Sequence, residues 1–570
     1  MAYFLKKSKL KKGLYLQIYE SFYNPQKGQT AHRSYKAIGY ENELKEKGIE
    51  DPIAYYQLEV DRLNSERKSK RSQEKQKQIG EETPEKYLGY FPLKSINEQL
   101  GVKKYIDLMQ TATDFKFNVY EMMSALIYAR VIQPCSKRKT YSDIFPKLFE
   151  KCNFSLNQLY DGLEYIGQEY EKIIEIYNAQ VNKRYPFDIG HTYFDCTNFY
   201  FEIDKEDDFR RKGPSKENRR DPIVGLGLLL DAHQIPIGMK LFPGNQSEKP
   251  VIRSVIDNLK KRNQITGRTI QIADKGLNCA ENIYHAIQAR DGYIFSKSVK
   301  QLSETEKTWI KLPQDYRSIT DSDGTVLYSY KECTDDFKYT ITDENGKRRE
   351  ITLTEKRVVT YNPKLADKQR REISKEVEKA RLLTVSKAKR SELGDIGKYI
   401  RLEATDKSGE DSDSRISVSV NEDAIREDLM LAGYNLLVTS EIHMLAQELY
   451  SAYHNLWRIE ESFRVMKSQL DARPVYLQKE ETIIGHFLIC YLSVLLTRLL
   501  QYKVLNNAYC SECIFDFFRD FRIVQAADTL YINLSRNSDF LQNLSSVTGL
   551  PLASYYLNNT QIHAILSSRF

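Results

Sequence analysis

The sequence predicts an α/β protein built on a mixed β-sheet, because strand and helix patterns alternate through the middle of the chain. Residues 191–203 are aromatic and β-branched, which is typical of a strand. Residues 221–245 indicate two strands joined near residues 232–234, and residues 248–261 indicate a helix. A short apolar strand at residues 268–276 ends in Asp-Lys-Gly, and a further helix and strand follow it. Three strands, a helix and then strand–helix–strand form the element order of a mixed sheet.

The length and charge of the chain limit the kinds of protein it can be. At 570 residues it exceeds one typical domain, and we expect about two to four. An apolar content of 41% with 29% charged residues is ordinary for a soluble protein. The net charge of +7 permits a polyanionic partner without requiring one, so the clustering of basic residues is more informative than their total.

The cysteines and apolar segments argue against secreted and membrane classes. Eight Cys in a chain of this length do not make a disulfide framework, and the lone pair Cys510 and Cys513 lacks the further ligands of a zinc site. The N-terminus has lysines but no apolar core, so we expect no signal peptide. The longest apolar run, residues 483–500, is interrupted by Gly485 and His486, and its uninterrupted part is shorter than the roughly 20 residues of a membrane span. We expect a buried helix there, no membrane contact and a reducing, cytosolic environment.

Two regions in the N-terminal third carry clustered basic residues. Residues 1–94 predict a small sheet with basic faces, followed by a charged helix or linker from residue 53 to about residue 78. That helix is either solvated or an arm that contacts the nucleic acid backbone. Residues 95–185 predict a helical bundle with a polar, basic turn at residues 133–144. The bundle fits a DNA-binding module, and it fits a simple packing domain almost as well.

A long polar stretch separates two parts of the α/β core. Residues 300–430 are strand-like and polar, with a charged helix among them and a hairpin signal in the Glu-Asn-Gly turn at residues 344–346. They predict a mostly β insertion between a first part of the core, residues 186–299, and a second part, residues 431–500. Residues 501–570 predict a C-terminal helical region.

Residues 453–470 predict a helix with two distinct faces. The stretch has no Gly or Pro and is rich in strong helix formers. Tyr453, Glu460 and Lys467 are seven residues apart, nearly two turns at about 100° per residue, so they form a line at the edge of the apolar stripe. Glu461 lies opposite the stripe and is expected to face water. Glu460 is therefore the candidate for chemistry, and the alternative is an ordinary amphipathic helix. The apolar stripe consists of Leu456, Ile459, Phe463, Met466 and Leu470.

Two aspartates in distant strands complete a candidate metal-binding set. Asp195 lies in an aromatic strand with Phe194 and Phe199, and burying an unpaired carboxylate is so costly that it must face a polar or metal-occupied cavity. Asp274 ends an apolar strand, where ligands of α/β sheets collect, although a strand-end Asp is also a common cap or turn former. With Glu460, these carboxylates are hard oxygen ligands that suit Mg²⁺ or Mn²⁺. Two such ions about 4 Å apart can activate a nucleophile and stabilise the leaving oxygen in phosphodiester displacement.

Together these regions resemble the DDE transposases of bacterial insertion sequences, specifically the insertion-sequence-four superfamily with its Tyr-Arg-Glu-Lys signature. That signature is Tyr, two residues, Arg, three residues, Glu, six residues and Lys. Tyr453, Glu460 and Lys467 match it at this spacing, whereas Leu456 occupies the Arg position. The resemblance extends over about residues 190–300 and 430–500, and its other motifs are YFDCTNFYFE, GPSKENRRDP, LLLDAHQIPIGMKLFPGNQSE, IADKGLNCAENI and RPVYLQKEETIIGHFLICYLSVLL.

The resemblance implies a ribonuclease H-like core whose catalytic and metal-binding residues are Asp195, Asp274 and Glu460, with a β-rich insertion before the Glu. It implies a transposase that uses two Mg²⁺ (or Mn²⁺) ions to cleave transposon ends and to transfer the 3′-hydroxyl strand into target DNA. Its partners would be double-stranded terminal inverted repeats and target DNA, bound by a homodimer in the bacterial cytoplasm at the nucleoid. Two alternatives remain open: a ribonuclease H-like DNA nuclease without strand transfer, and a catalytically decayed DNA-binding relative.

Basic residues around this core are expected to hold DNA phosphates. Tyr453 and Lys467 share the line of Glu460 and would contact phosphate next to the metal ions. Because Leu456 occupies the signature Arg position, a nearby arginine, Arg458 or Arg464, is expected to supply that charge. The Gly-Pro-containing loop after the first catalytic strand either holds the DNA backbone or is only solvated. Its three cations are Lys216, Arg219 and Arg220.

Overall fold

The computed structural model of the protein describes residues 2–24, 29–75, 84–214, 216, 220–262, 267–342, 346–382, 394–404, 416–527 and 529–569. Contacts within the chain divide it into two compact units, Met1–Thr83 and Pro84–Phe570. The second unit contains every residue that the sequence predicts to be catalytic.

The N-terminal unit is an antiparallel three-stranded sheet with two helices. Its elements are β1 (Tyr3–Leu10), β2 (Gly13–Asn24), β3 (Gln29–Tyr40), α1 (Glu41–Glu46) and α2 (Pro52–Lys75). On α2, the Asn64 side chain bonds to both backbone groups of Tyr3, at 2.8 and 2.9 Å. Arg67 on α2 and Arg33 on β3 pair with buried Glu20 at 3.0 and 2.8 Å. The predicted sheet and charged helix are present, and this part of the helix is attached to the sheet. A contact of the helix with nucleic acid stays a prediction.

The second unit begins with a short strand and a group of helices, as the sequence predicts for residues 95–185. These elements are β4 (Glu85–Tyr87), α3 (Phe91–Leu100), α4 (Lys103–Gln110), α5 (Val119–Ile132), α6 (Lys137–Lys139), α7 (Leu156–Gln168) and α8 (Tyr170–Arg184). The side chains of Asn118 and Ser155 cap α5 and α7 by accepting backbone N–H groups, which fixes where these helices begin. The basic turn at residues 133–144 is partly helical, and its Lys137 is buried.

The strands and helices predicted between residues 191 and 297 are all present. They are β5 (His191–Tyr200), β6 (Ile223–Leu230), β7 (Pro236–Pro243), α9 (Val251–Arg262), β8 (Ile270–Ala273), α10 (Ala280–Gln288) and β9 (Gly292–Lys297). Strands β5, β8 and β9 are parallel to one another, and β6 and β7 continue the sheet antiparallel on the far side of β5. Strands β5 and β8, which the sequence associates with Asp195 and Asp274, therefore lie inside the sheet.

The polar region that follows extends the same sheet. It contains α11 (Glu304–Lys311), β10 (Arg317–Thr320), β11 (Val326–Thr342), β12 (Arg348–Tyr361), α12 (Pro363–Arg381), β13 (Ile400–Ala404), β14 (Ile416–Val420), α13 (Glu422–Leu431) and β15 (Tyr434–Thr439). The complete sheet has nine strands in the order β10-β11-β12-β15-β9-β8-β5-β6-β7. Residues 300–430 do interrupt the chain between Asp274 and Glu460, but their long hairpin does not form a sheet of its own. It continues the central sheet because β12 pairs with β15.

A smaller group of elements inside this region has its own core. Buried side chains of α12 and α13 pack with Tyr399 and Ile400, next to the two-stranded β13-β14 sheet. The predicted hairpin is confirmed by the pairing of Thr342 with Arg348, and Gly346 has a φ of 74°, the left-handed conformation that the turn requires. Residues 344 and 345 of the predicted turn lie outside the described residues.

The C-terminal part is not purely helical, contrary to the sequence prediction for residues 501–570. Its elements from residue 446 onward are α14 (Ala446–His454), α15 (Trp457–Arg464), α16 (Glu480–Leu499), α17 (Ser511–Asp520), β16 (Arg522–Ala527), β17 (Leu530–Asn533), α18 (Asp539–Thr548), β18 (Tyr556–Asn558) and α19 (Asn559–Leu566). Three of these strands join β4 in a four-stranded sheet of order β18-β17-β16-β4. Strands of three to six residues are too short to show a period of two in the sequence.

The apolar run at residues 483–500 forms the central helix of the second unit, as the sequence predicts. The helix Glu480–Val504 is long and apolar enough to cross a bilayer, but 94% of its most apolar stretch is buried inside the protein. Gly485 allows α7 to approach this helix closely. A Cβ atom on Gly485 would overlap the Leu163 carbonyl, and one on Gly167 would overlap the Glu481 carbonyl.

Candidate active site

Two aspartates lie side by side on neighbouring parallel strands. Phe194 of β5 is paired with Ala273 of β8, so the next residues, Asp195 and Asp274, are at the same level of the sheet. Adjacent strands are about 4.8 Å apart, which brings the two carboxylates within reach of a shared ligand. The sequence prediction that these two residues belong to one site therefore agrees with the sheet register.

The surroundings of Asp195 disfavour its ionised form. Its side chain is 19% exposed, and the backbone N–H of Cys196 donates to its Oδ1 at 2.7 Å. Burial raises the pKa of Asp195 to about 6, although Lys216 opposes the rise, and the carboxylates of Glu248 and Asp274 add to it. Several negative groups with little compensation are what a divalent cation would stabilise.

Lys216 is the first of the three loop cations that the sequence points to, and it faces the site. Its Nζ lies 3.7 Å from Asp195 Oδ1 and also donates to the Cys196 carbonyl. Burial lowers and Asp195 raises the pKa of Lys216, and the net direction is upward, so it stays charged. Arg220 is exposed at the end of this loop, next to β6, and Arg219 lies outside the described residues.

Asp274 is held by a residue whose role the sequence assigned differently. It occupies the cap position of a short 3-10 turn, but its side chain makes no capping bond. Instead, the Tyr453 hydroxyl donates to Asp274 Oδ1 at 2.8 Å. Burial and Asp274 raise the pKa of Tyr453, so the phenol remains a donor. A DNA phosphate contact of Tyr453 stays a prediction, and in this structure its hydroxyl orients a carboxylate. Asp274 also borders a cavity of about 340 Å³ that Lys275 and Lys297 line.

The helix predicted at residues 453–470 is not continuous. α14 ends at His454, Asn455 and Leu456 form a tight turn, and α15 follows. The bonds at this turn join residues three apart, such as the Leu456 N–H to the Tyr453 carbonyl at 3.0 Å. A π-helical turn, Val465–Gln469, then follows α15. The prediction of one continuous helix is therefore wrong, and the uniform 100° per residue used to align Tyr453, Glu460 and Lys467 does not hold across these two irregular turns.

The two adjacent glutamates have opposite environments, and one prediction about them is wrong. Glu461 does not face water: its Oε1 accepts from Ser511 Oγ at 2.8 Å and lies 3.3 Å from the guanidinium of Arg498, whose side chain is 2% exposed. Glu460 is exposed, and its side chain makes no hydrogen bond or ion pair with any other residue that the structure describes. The Glu461 side chain thus connects α15 to Arg498 on α16 and Ser511 on α17. The Glu460 side chain remains free to bind a ligand.

Helix α15 packs on the strand that carries Asp195. Near its start, Asn455 and Arg458 face the Tyr193 phenol, and beyond its end Lys467 Nζ lies 5.6 Å from the centre of the Phe199 ring. Tyr193 and Phe199 are on the same face of β5 as Asp195, since side chains alternate along a strand. The helix that carries Glu460 therefore covers the Asp195 face.

The other predicted contacts differ in exposure. Arg464 is exposed, and Arg458 is half-buried beside Trp457. Leu456, at the signature Arg position, is buried with 8% exposure and belongs to the apolar core, so that position cannot contact DNA in this structure. Among the described residues, the structure shows no group of three or more His, Cys, Asp or Glu side chains arranged to hold a metal ion. It brings Asp195 and Asp274 together but does not place the Glu460 carboxylate with them.

The comparisons with known proteins identify the family of the chain. A family model described as the transposase DDE domain matches residues 189–496, more than half of the chain. The chain therefore belongs to the DDE-domain transposase family, whose members act on DNA. A cryo-EM structure of piggyBac transposase synaptic complex with hairpin DNA is similar, with a TM-score of 0.33 and 9% identity over 75% of this chain and 77% of that one. That likeness is too slight to support a conclusion. No curated protein matches the sequence.

Proposed function

We propose that this transposase belongs to the insertion-sequence-four superfamily and has a ribonuclease H-like core with Asp195, Asp274 and Glu460 as catalytic residues. One observation carries the proposal: inside the family-matched span, two aspartates lie level on adjacent parallel strands, and the helix bearing an unpaired glutamate packs over the same strand face. Tyr453 and Lys467 complete the signature, and the buried Leu456 is its one departure.

The three carboxylates would hold two divalent ions, Mg²⁺ or Mn²⁺, which when bound activate the attacking oxygen and stabilise the leaving oxygen of a phosphodiester. The donor set fits such ions, because Asp195 and Asp274 are paired oxygen ligands in a site with excess negative charge. Tyr453 fixes the orientation of Asp274 through its 2.8 Å hydrogen bond. Lys216 offsets part of the charge on Asp195 before the ions bind. Glu460 would turn toward the aspartates when the ions are present.

Cations around the site would hold the DNA backbone. Lys467 lies beyond the carboxyl end of α15, and Arg464 projects from the exposed side of that helix. Arg458, Lys216, Arg219 and Arg220 would extend the contact along the strand to be cut. A homodimer on paired double-stranded transposon ends, in the bacterial cytoplasm, is the assembly we propose. The reaction is hydrolysis at the terminal inverted repeats, followed by transfer of the freed 3′-hydroxyl into target DNA.

Incubation of the protein with Mg²⁺, a labelled duplex carrying the terminal inverted repeats that flank its gene, and a target plasmid tests the proposal. We expect cleavage at the repeat end and covalent joining of the labelled strand to the plasmid. Cleavage without joining would instead identify a nuclease, and a mobility shift without cleavage would identify a DNA-binding relative. Two controls accompany the assay: the Asp274→Asn variant with Mg²⁺, and the wild-type protein in EDTA. In both controls the protein is expected to bind the duplex without cutting it.

A further inference from the structure

Three basic side chains are buried together at the turn between α5 and α6, away from the catalytic strands. Arg130, Lys137 and His486 are 6%, 5% and 4% exposed. Lys137 belongs to the basic turn at residues 133–144, which the proposed catalytic function does not use. Full burial of such groups is rare unless they are paired with an anion.

The hydrogen bonds of this cluster hold the basic groups in place without neutralising them. His486 Nε2 lies 3.1 Å from the Ala472 carbonyl and must donate to it, so Nδ1 accepts from Lys137 Nζ at 3.0 Å. The Arg130 guanidinium donates to the carbonyls of Leu470 and Cys135 at 3.3 and 3.2 Å. All of these acceptors are uncharged.

The cluster has no carboxylate partner within the part of the chain that the structure describes. Among the described residues, neither Arg130 nor Lys137 forms an ion pair. The positive charge of Arg130 disfavours the charged form of Lys137. Burial and Arg130 hold the pKa of Lys137 well below its usual range, and burial, Lys137 and Arg130 do the same for His486. Charging such a buried group without a counter-charge costs about several kcal/mol, and a bound anion would remove much of that cost.

A cavity gives an anion access to this cluster. Its volume is about 330 Å³, and Arg130, Lys137 and His486 all line it. Two exposed residues, Lys139 and Tyr476, lie on its rim, and the exposed fraction of Tyr476 is 71%. The acidic residue on the rim is Asp471, which is exposed. A cavity of this size admits a phosphate group with part of its nucleotide, and an exposed tyrosine beside it offers a surface for a base to stack on.

We infer that this cavity, defined by Arg130, Lys137 and His486, is a second DNA contact that receives a backbone phosphate, with Lys137 as its principal donor. The inference rests on the proposed function in taking DNA as the ligand. A bound phosphate would accept the remaining Lys137 N–H bonds, and Lys139 would contact the neighbouring phosphate.

Fluorescence anisotropy with a labelled terminal-repeat duplex, in EDTA and over a range of salt concentrations, tests this inference on the full chain. Lys137→Met is expected to weaken binding about tenfold and to reduce the slope of log K against log salt by about one. Replacing a buried unpaired cation by an apolar side chain of similar volume is also expected to preserve or raise the melting temperature. Asp471→Asn, which changes only an exposed carboxylate, is expected to tighten binding. Lys116→Met, at an exposed position outside the cavity, is the matched control.

Two results would overturn the inference. The first is unchanged DNA affinity in both Lys137→Met and Asp471→Asn, with a lower melting temperature for Lys137→Met, as a purely structural cluster requires. The second is that inorganic phosphate raises the melting temperature of the wild type but not of Lys137→Met while DNA affinity stays the same, because the site then serves free phosphate. Since binding is measured without divalent metal, the result does not depend on whether the protein cleaves DNA.

Discussion

Asp195 is expected to cost the metal-free protein stability, and Asp195→Asn should therefore raise its melting temperature. The Asp195 pKa rises from 3.8 to about 6 on folding, chiefly through burial. One pKa unit corresponds to about 1.4 kcal/mol, so the ionised carboxylate lowers the free energy of unfolding by about 3 kcal/mol above pH 6. Asparagine carries no charge, and its carbonyl can still accept the Cys196 N–H bond of 2.7 Å.

The direction of the pH dependence follows from the sign of the shift. Between pH 3.8 and about 6 the folded protein keeps a proton on Asp195 that the unfolded chain has released. The cost of Asp195 is therefore absent below this window, grows as the pH rises through it and is constant above it. The difference in melting temperature between Asp195→Asn and the wild type should grow from about pH 4 to about pH 6 and then level off.

Thermal melting in EDTA across this pH range measures the difference directly. Asp114→Asn, at an exposed position of the same unit, is the matched control and should show no such difference. A lower melting temperature for Asp195→Asn at pH 7.5, or a difference that does not vary with pH, would refute the reasoning. Added Mg²⁺ should stabilise the wild type more than Asp195→Asn, because ligand binding favours the folded state.

Two further substitutions separate packing roles from catalytic roles. Tyr453→Phe removes the hydroxyl that bonds to Asp274, a charge-assisted bond worth about 1.5–3 kcal/mol, so single-turnover cleavage should slow about 10- to 100-fold while DNA affinity changes little. If affinity falls and the rate does not, Tyr453 is instead a phosphate contact. Glu461→Gln leaves the buried Arg498 charge uncompensated, which should cost about 3–5 kcal/mol and lower the melting temperature. The activity of the folded fraction of Glu461→Gln should be unchanged, and a loss of that activity at normal stability would contradict this assignment.

The strands around Asp195 and Asp274 could be predicted because their apolar patterns are strong and local. The short strand before Asp274 and the aromatic strand around Asp195 are present close to where the sequence places them. The pairing of β12 with β15 could not be predicted, since these strands are separated by more than 70 residues and a polar alternation does not specify its partner. For this reason the sequence predicts a separate β insertion, whereas the long hairpin continues the central sheet.

The surroundings of α15 depend on tertiary packing, which a helical wheel drawn from the local sequence does not represent. Nothing in the local sequence at Asn455 and Leu456 breaks a helix, and the turn coincides with burial of Leu456 and with the bond from Tyr453 to Asp274. The wheel placed Glu461 opposite the apolar stripe, but α16 and α17 cover that side and supply Arg498 and Ser511. Its spacing predicts Glu460 as the candidate, and the Glu460 side chain has no partner among the described residues.

Cleavage of terminal-repeat DNA by Glu460→Gln in the presence of Mg²⁺ tests the central claim most directly. Loss of a metal-binding carboxylate removes several kcal/mol of transition-state stabilisation, so cleavage should fall by about a thousandfold or more. Binding of the duplex in EDTA and the melting temperature should remain close to those of the wild type, because Glu460 is exposed and pairs with no described residue. Glu512→Gln, at an exposed position at the start of α17, is the matched control. Cleavage by Glu460→Gln at the wild-type rate would contradict the assignment of Asp195, Asp274 and Glu460 as the catalytic set.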